Sequence, residues 1–218
     1  MIRTFASSYS DQLHRLHWAL FPSEFADKSR VIQMTAARSS EGVTTVTLAL
    51  ASSMARLFGP DSTLVIEANL RKPAFHKILG GFSRTSILSV LENDETAVEA
   101  ATRLQDTGFS IISAGSIALE NEALSPEFYL EKMAKVVERL RPHYKYILID
   151  SPPIVPYIDS DIIAGAVDGI VIVVEANSTR AEVLDFAISR LKSVDAPIVG
   201  LILNKRVFHI PKWLYRFL

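Results

Sequence analysis

The sequence predicts a single doubly wound α/β domain, with a mostly parallel sheet between two layers of helices. Three observations carry this prediction. Six short runs rich in Ile and Val recur along the chain: Val31–Thr35, Leu64–Glu67, Phe109–Ser113, Tyr146–Asp150, Ile170–Val174 and Val199–Leu203. They do not alternate with polar residues, as befits strands buried on both faces of a parallel sheet. Segments with helical spacing separate them, and a loop of small residues joins the first run to a helix. In such a fold the ligand site lies at the carboxyl ends of the strands.

The helices follow from apolar spacing. Met133, Val136, Val137 and Leu140 fall at i, i+3, i+4 and i+7, and Val183, Leu184, Ala187, Ile188 and Leu191 form a second stripe. A first helix is predicted over Ser10–Phe21, with Leu13, Leu16 and Leu20 on one face and Asp11, His14 and Trp18 on another. Trp18 is expected either to mark a contact surface or to pack under the following loop.

Composition bounds the function. With 218 residues, 49% of them hydrophobic and 22% charged, the chain suits one sizeable core. A net charge of −1 gives no basic field, so nucleic acid is not an expected partner. The absence of Cys excludes a disulfide framework, a thiolate zinc site, an iron–sulfur cluster and a cysteine nucleophile, and is compatible with a reducing cytoplasm. The apolar runs fall short of the ~20 residues that cross a bilayer, and the first residues carry no signal-peptide core. Membrane association is therefore expected only through a partner or a surface segment. The chain divides into an N-terminal helix and connector (1–29, a candidate oligomerisation segment), an α/β domain (30–206) and an amphipathic tail (207–218).

The loop after the first run reads Thr35-Ala36-Ala37-Arg38-Ser39-Ser40-Glu41-Gly42-Val43-Thr44-Thr45 and opens a helix carrying Val46, Leu48, Ala51 and Ala55. At a strand–loop–helix junction, backbone N–H groups can cradle a phosphate. Gly42 and the Thr44-Thr45 pair match the end of a phosphate loop. Val43 stands where a lysine would reach the β- and γ-phosphates, and each charge-assisted bond lost there costs ~1.5–3 kcal/mol. Ser40 replaces a glycine that would permit close backbone approach. No Gly-x-Gly-x-x-Gly follows the first strand, which argues against hydride transfer.

Two further segments fit the loop: Leu64-Val65-Ile66-Glu67-Ala68-Asn69-Leu70-Arg71-Lys72-Pro73, and Tyr146-Ile147-Leu148-Ile149-Asp150-Ser151-Pro152-Pro153. The second is a buried strand ending in a carboxylate, as a Walker B strand does. In this order and spacing, the three segments resemble the bacterial tyrosine kinases of capsule and exopolysaccharide export. Those kinases sit in the deviant P-loop group with the cell-division and plasmid-partition ATPases. The family's motifs read Pro-Gly-Glu-Gly-Lys-Ser/Thr-Thr, Ile-Asp-Ala-Asp-Leu-Arg-Arg-Pro and Ile-Asp-Thr-Pro-Pro. Val167-Asp168-Gly169 and Gly200-Leu201-Ile202-Leu203-Asn204-Lys205 extend a resemblance that covers about residues 9 to 206.

The resemblance implies a P-loop NTPase-like fold and a nucleotide site drawn from Arg38, Glu41, Gly42, Val43, Thr44, Thr45 and Asn204, with Asn204 at the adenine. It implies Thr44 and Asp150 as the holders of Mg²⁺. Glu67 and Asn69 stand at the family's two acidic positions, and an Asn offers a hard cation less charge than an Asp. Arg38 occupies the place of a second loop lysine in the partition ATPases; it is either a phosphate contact or a solvated surface arginine. No catalytic residue is assigned with Val43 in the loop; were the chain active, Asp150 and Arg38 would carry the chemistry. The family's ring-forming Glu-x-x-Arg-x-x-Arg becomes Asp11-x-x-His14-x-x-His17, in which neutral histidines bridge weakly. Three-residue spacings turn those side chains away from a common point, so a metal site there is not expected. The family's terminal tyrosine cluster is reduced to Tyr215, in a tail whose Ile210, Trp213, Leu214, Phe217 and Leu218 share one face.

A retained framework with altered catalytic positions is the pattern of a pseudoenzyme. The expectation is a cytoplasmic, non-catalytic partner of a transmembrane polysaccharide co-polymerase, held at the inner face of the membrane. It would bind ATP or ADP with Mg²⁺ weakly. Two alternatives stay open. One is an active tyrosine autokinase using Arg38 and Asp150. The other is a positioning or partition-type ATPase anchored by its tail, against which Leu70-Arg71-Lys72-Pro73 and the prolines after Asp150 weigh.

Overall fold

A computed structural model describes residues 10–21, 28–79, 86–115 and 125–206. The tail expected over 207–218, with Tyr215 and its apolar face, and the connector over 22–27 lie outside the described residues. Helix α1 (Ser10–Leu20) precedes strand β1 (Arg30–Ala36), helix α2 (Val43–Phe58) and strand β2 (Thr63–Glu67). Short helices α3 (Phe75–Leu79), α4 (Ile87–Glu92) and α5 (Ala97–Ala100) lead to strands β3 (Thr102–Arg103) and β4 (Ser110–Ile112). Then come α6 (Pro126–Leu140), β5 (Tyr146–Asp150), α7 (Asp159–Ile163), β6 (Gly169–Glu175), α8 (Ala181–Ser193) and β7 (Ile198–Asn204).

The sheet has seven strands in the order β3-β4-β2-β5-β1-β6-β7. All neighbours are parallel except β3 against β4. All six predicted runs are strands. The two-residue β3 was not anticipated, because Thr102–Arg103 is too short to carry a hydrophobic pattern. From β1 the chain crosses to β2 on one side, and from β5 it crosses back over β1 to β6. The reversal puts the carboxyl ends of β1 and β5 at the switch point, where an open α/β sheet holds its ligand.

On one face, α1 and α2 pack over Ile32, Met34, Val65, Leu148, Val171 and Val173. On the other, α4 and α6 cover Val31, Leu64, Ile66, Ile147 and Ile149. Met133, Val136, Val137 and Leu140 of α6 are buried, as their spacing requires. Helix α8 packs its Ala187 and Leu191 against Ile170, Ile172 and Val174. β7 departs from the sequence reading. It is not buried on both faces; exposed and half-buried residues alternate along it, as on an edge strand.

Helix α1 is attached through His17, not freed by it. The ring is buried, stacked on Phe21 with centroids 5.3 Å apart and 4.4 Å from Phe58. Of the Asp11-x-x-His14-x-x-His17 spacing, the third member therefore turns into the core. Asp11 stays exposed, and Trp18 on the outer face is 62% exposed. Burial, helped by the charges of Lys145 and His14, pushes the His17 imidazole down to about 4. A base depressed from 6.5 to about 4 stays neutral when folded but protonates when unfolded, so its stability contribution is present above pH 6.5 and lost as pH falls toward 4. Thermal unfolding at pH 7 and pH 4.5 should therefore show a smaller acid-induced fall in Tm for His17→Phe than for the parent chain.

Candidate functional site

The phosphate loop is shaped by two left-handed residues. Ser40 has φ 69° and Gly42 φ 95°, the latter as the cap of α2. A Cβ on Gly42 would lie 2.3 Å from the Asn204 side-chain nitrogen, so both conformation and space call for glycine. Ser40 adopts its strained turn without that freedom, and the loop is braced to hold it. The Glu41 carboxyl is buried and folded inward, accepting from the backbone N–H of Arg38 at 2.9 Å and from the Thr179 hydroxyl. Asn204 donates to the Glu41 carbonyl at 2.8 Å, and Lys205 donates to the Ser40 carbonyl at 2.7 Å while pairing with Glu175 at 3.1 Å.

Val43 lies on the first turn of α2 and packs against the core beside that helix. Thr44, next in sequence, donates to the Asp150 carboxyl at 2.8 Å. The other Asp150 oxygen is buried without a partner. Burial, aided by the nearby Glu67 charge and opposed by the Thr44 hydrogen bond, pushes this carboxyl up to about 7. A hydroxyl beside an under-coordinated carboxyl at the end of a sheet is a donor set suited to a hard divalent cation, and Thr44 with Asp150 would hold Mg²⁺ there.

Strand β5 is locked in place behind this pair. Gln33 donates to the Ser151 hydroxyl at 3.0 Å and to the Ser160 carbonyl at 2.9 Å, and Thr35 donates to the Pro152 carbonyl at 2.8 Å. Arg190 reaches from α8 to the carbonyls of Ile154 and Tyr157 at 2.6 and 3.0 Å, fixing the segment after the two prolines.

The second motif is tied into the fold by hydrogen bonds. Glu67 is fully buried beside Asp150 in the β2–β5 register. Its carboxyl accepts from the N–H groups of Ala74 (2.6 Å), Phe75 (2.8 Å) and Ala114 (2.9 Å) and from the Ser113 hydroxyl (3.2 Å). With four donors on two oxygens, it ties β2 to the start of α3 and to the chain after β4. Asn69 accepts from the Lys72 N–H at 3.1 Å and so shapes a turn. Arg71 lies 3.4 Å from Asp159, with its guanidinium 5.4 Å from the Tyr157 ring centre. Arg38 is exposed on the loop and Thr45 is exposed on the first turn of α2. The structure brings the loop, Thr44, Asp150 and Asn204 together; the bracing by Lys205 and Thr179 and the donors around Glu67 were not anticipated from the sequence.

This geometry can be set beside known proteins. No protein-family model matches the chain. The tyrosine-protein kinase CpsD of Streptococcus agalactiae is 27% identical over 187 residues, which cover 84% of this chain and 78% of that one. The chain is a homologue of bacterial tyrosine kinases. The succinoglycan biosynthesis transport protein ExoP of Rhizobium meliloti is 25% identical over 82% of this chain but only 22% of its own length. Among solved structures, the VpsO kinase domain superposes with a TM-score of 0.72 at 28% identity, covering 91% of this chain and 99% of that one. The cell-division protein MinD of Aquifex aeolicus reaches a TM-score of 0.65 at 25% identity over 87% of this chain and 72% of that one.

The two buried carboxyls make opposite predictions. Glu67→Gln turns an amide NH₂ toward donors and should cost about 3 kcal/mol in urea unfolding, whereas Asn69→Asp keeps its acceptor and should change stability by less than about 0.5 kcal/mol. An acid raised to about 7 when folded contributes stability at low pH that is lost as pH rises from 3.8 toward 7. Asp150→Asn should accordingly match the parent near pH 4 and exceed it at pH 8, by up to about 4 kcal/mol in the same assay.

Proposed function

We propose that the chain is a non-catalytic partner of a membrane polysaccharide co-polymerase in exopolysaccharide synthesis and export. The observation that carries this reading is the fate of the loop's cation position: Val43 is an apolar side chain packed against the core. Phosphoryl transfer in P-loop proteins is positioning plus electrostatic stabilisation, and a valine supplies no charge to the β- and γ-phosphates. The four donors that occupy Glu67 and the turn shaped by Asn69 support the same reading, since both positions are taken up in holding the fold.

Nucleotide binding stays within reach of the site. The N–H groups that open α2, the Thr44 hydroxyl and the Asp150 carboxyl are the residues that would hold ATP or ADP with Mg²⁺, with Asn204 at the base side of the loop. When bound, the metal would screen the phosphate charge. This chain's part is to cradle the phosphates with backbone N–H groups and to orient the Asp150 oxygen through Thr44. The polysaccharide context rests on the match to a succinoglycan transport protein and to kinases of the same group. No helix among the described residues is long and apolar enough to cross a membrane, so a transmembrane partner would supply the anchor.

A second reading is favoured by the relatives' names and by the exposed Arg38 on the loop: an active tyrosine autokinase with Arg38 as the phosphate contact. One pair of assays separates the two. With Mg²⁺ and ATP, the purified chain should form no phosphotyrosine, and it should co-purify with its membrane co-polymerase from detergent extracts. Strong phosphotyrosine that disappears in Arg38→Ala would overturn the first reading and establish the second.

A further inference from the structure

The amino ends of the central strands lie opposite the phosphate loop, and cations collect there around one exposed tryptophan. The register sets Arg30 at the start of β1 beside Tyr146 at the start of β5. The Ser29 hydroxyl donates to the Tyr144 carbonyl at 2.7 Å and the Arg30 N–H to the Lys145 carbonyl at 3.0 Å, so the chains bearing Lys28 and Lys145 enter the sheet side by side. The last turn of α2 and the end of α1 reach the same place. The Tyr146 ring lies 5.1 Å from Phe58 and 4.8 Å from Phe21. The Lys145 ammonium stands 5.7 Å from the Phe58 ring centre and 5.6 Å from that of Tyr146, and its charge is felt at His17, the neighbour of Trp18. Lys28, Arg56 and Lys145 are exposed, as is Arg15, one turn before Trp18 on the outer face of α1. Leu57, next to Arg56, is 44% exposed.

We propose that this end of the molecule docks directly on an anionic lipid surface, with Trp18 at the headgroup level and Arg15, Lys28, Arg56 and Lys145 against the lipid phosphates. Charge complementarity selects the partner. The chain carries −1 overall, so the positive charge is local to this end. Nearby acids are answered by other cations: Asp61 pairs with Arg103 at 3.1 Å, and Glu138 and Asp168 pair with Arg141 at 2.9 and 2.8 Å. Asp106 and Asp195 stand toward the two sheet edges, before β4 and β7, and Asp11 is two turns of α1 away from Trp18. The indole fits the same surface, because its apolar body and its N–H suit the boundary between headgroups and acyl chains. Each Lys or Arg near such a surface strengthens attachment about fivefold. A contact of this size is reversible, so it adds to a membrane partner without replacing one. It involves neither the nucleotide site nor a protein partner, and it stands or falls separately from the function proposed above.

The chain has two tryptophans, Trp18 and Trp213, so Trp213→Phe leaves Trp18 as the only reporter. That full-length variant should co-sediment at low salt with vesicles of equal phosphatidylglycerol and phosphatidylcholine, and its emission should shift to the blue. Neither should happen with pure phosphatidylcholine or at high salt. Arg56→Ala and Lys145→Ala should each weaken co-sedimentation about fivefold, and together about 25-fold. Arg56→Ala leaves the ring contacts of Lys145 in place, so it reports even where Lys145→Ala disturbs Phe58. Lys77→Ala removes an exposed cation from α3 at the carboxyl end of the sheet and should change binding by less than about twofold. No binding, equal binding to pure phosphatidylcholine, binding with Trp18 emission unchanged, or an equal loss in Lys77→Ala would each overturn the proposal. So would Trp18 emission already blue-shifted without vesicles; a shift that grows with protein concentration would assign this face to a second copy of the chain.

Discussion

The hydrogen bond from Thr44 to Asp150 joins the first turn of the loop helix to the end of the central strand, and the rest of the site is arranged around that buried carboxyl. The β1–β5 pairing puts Met34 opposite Asp150, so the carboxyl emerges beside the strand that feeds the loop. Ser151 and Ser160, held through Gln33 and Thr35, keep the strand end from shifting. Burial with one oxygen unpartnered makes the ionised form costly, which is the electrostatic reason the carboxyl is pushed up. A cation arriving at this oxygen would remove that cost.

The loop itself is prepared without that charge. Asn204 and Lys205 hold the Glu41 and Ser40 carbonyls from behind, and the Glu41 carboxyl holds the Arg38 N–H from within, which fixes the loop in a preset curve. Lys205 is a cation close to the loop, but it is engaged with the Ser40 carbonyl and the Glu175 carboxylate. It therefore stabilises the shape of the loop, a different task from meeting a γ-phosphate. Shape and charge are separated here: the backbone cradle is retained, and the side chain that would bring the charge is an apolar residue of the core edge.

Much of this was legible in the sequence, for identifiable reasons. The strands carry uninterrupted Ile and Val runs, and the α6 stripe is strictly periodic, so local pattern and tertiary burial agree. The loop could be read because Gly42 is required by both its left-handed conformation and its contact with Asn204. Other features depend on long-range contacts that spacing does not encode. The run in β7 reads like its buried neighbours, yet its position at the sheet edge leaves Leu201 and Leu203 open. Replacing an Asp by Glu67 looks conservative in sequence, but the carboxyl meets donors from two separated segments. His17 gives no sign of burial in the α1 sequence, and only the aromatic cluster of Phe21, Phe58 and Tyr146 explains why it is buried.

The central claim is that the loop keeps a phosphate cradle but no cation for the terminal phosphate. The most direct measurement is a calorimetric titration of the full chain with ADP and with ATP, each with Mg²⁺. Backbone N–H groups and the Thr44–Asp150 pair act on both nucleotides, so the two should bind weakly and within about threefold of each other. ATP binding more than about tenfold tighter than ADP, worth over about 1.4 kcal/mol, would require a side chain on the γ-phosphate and would contradict the account.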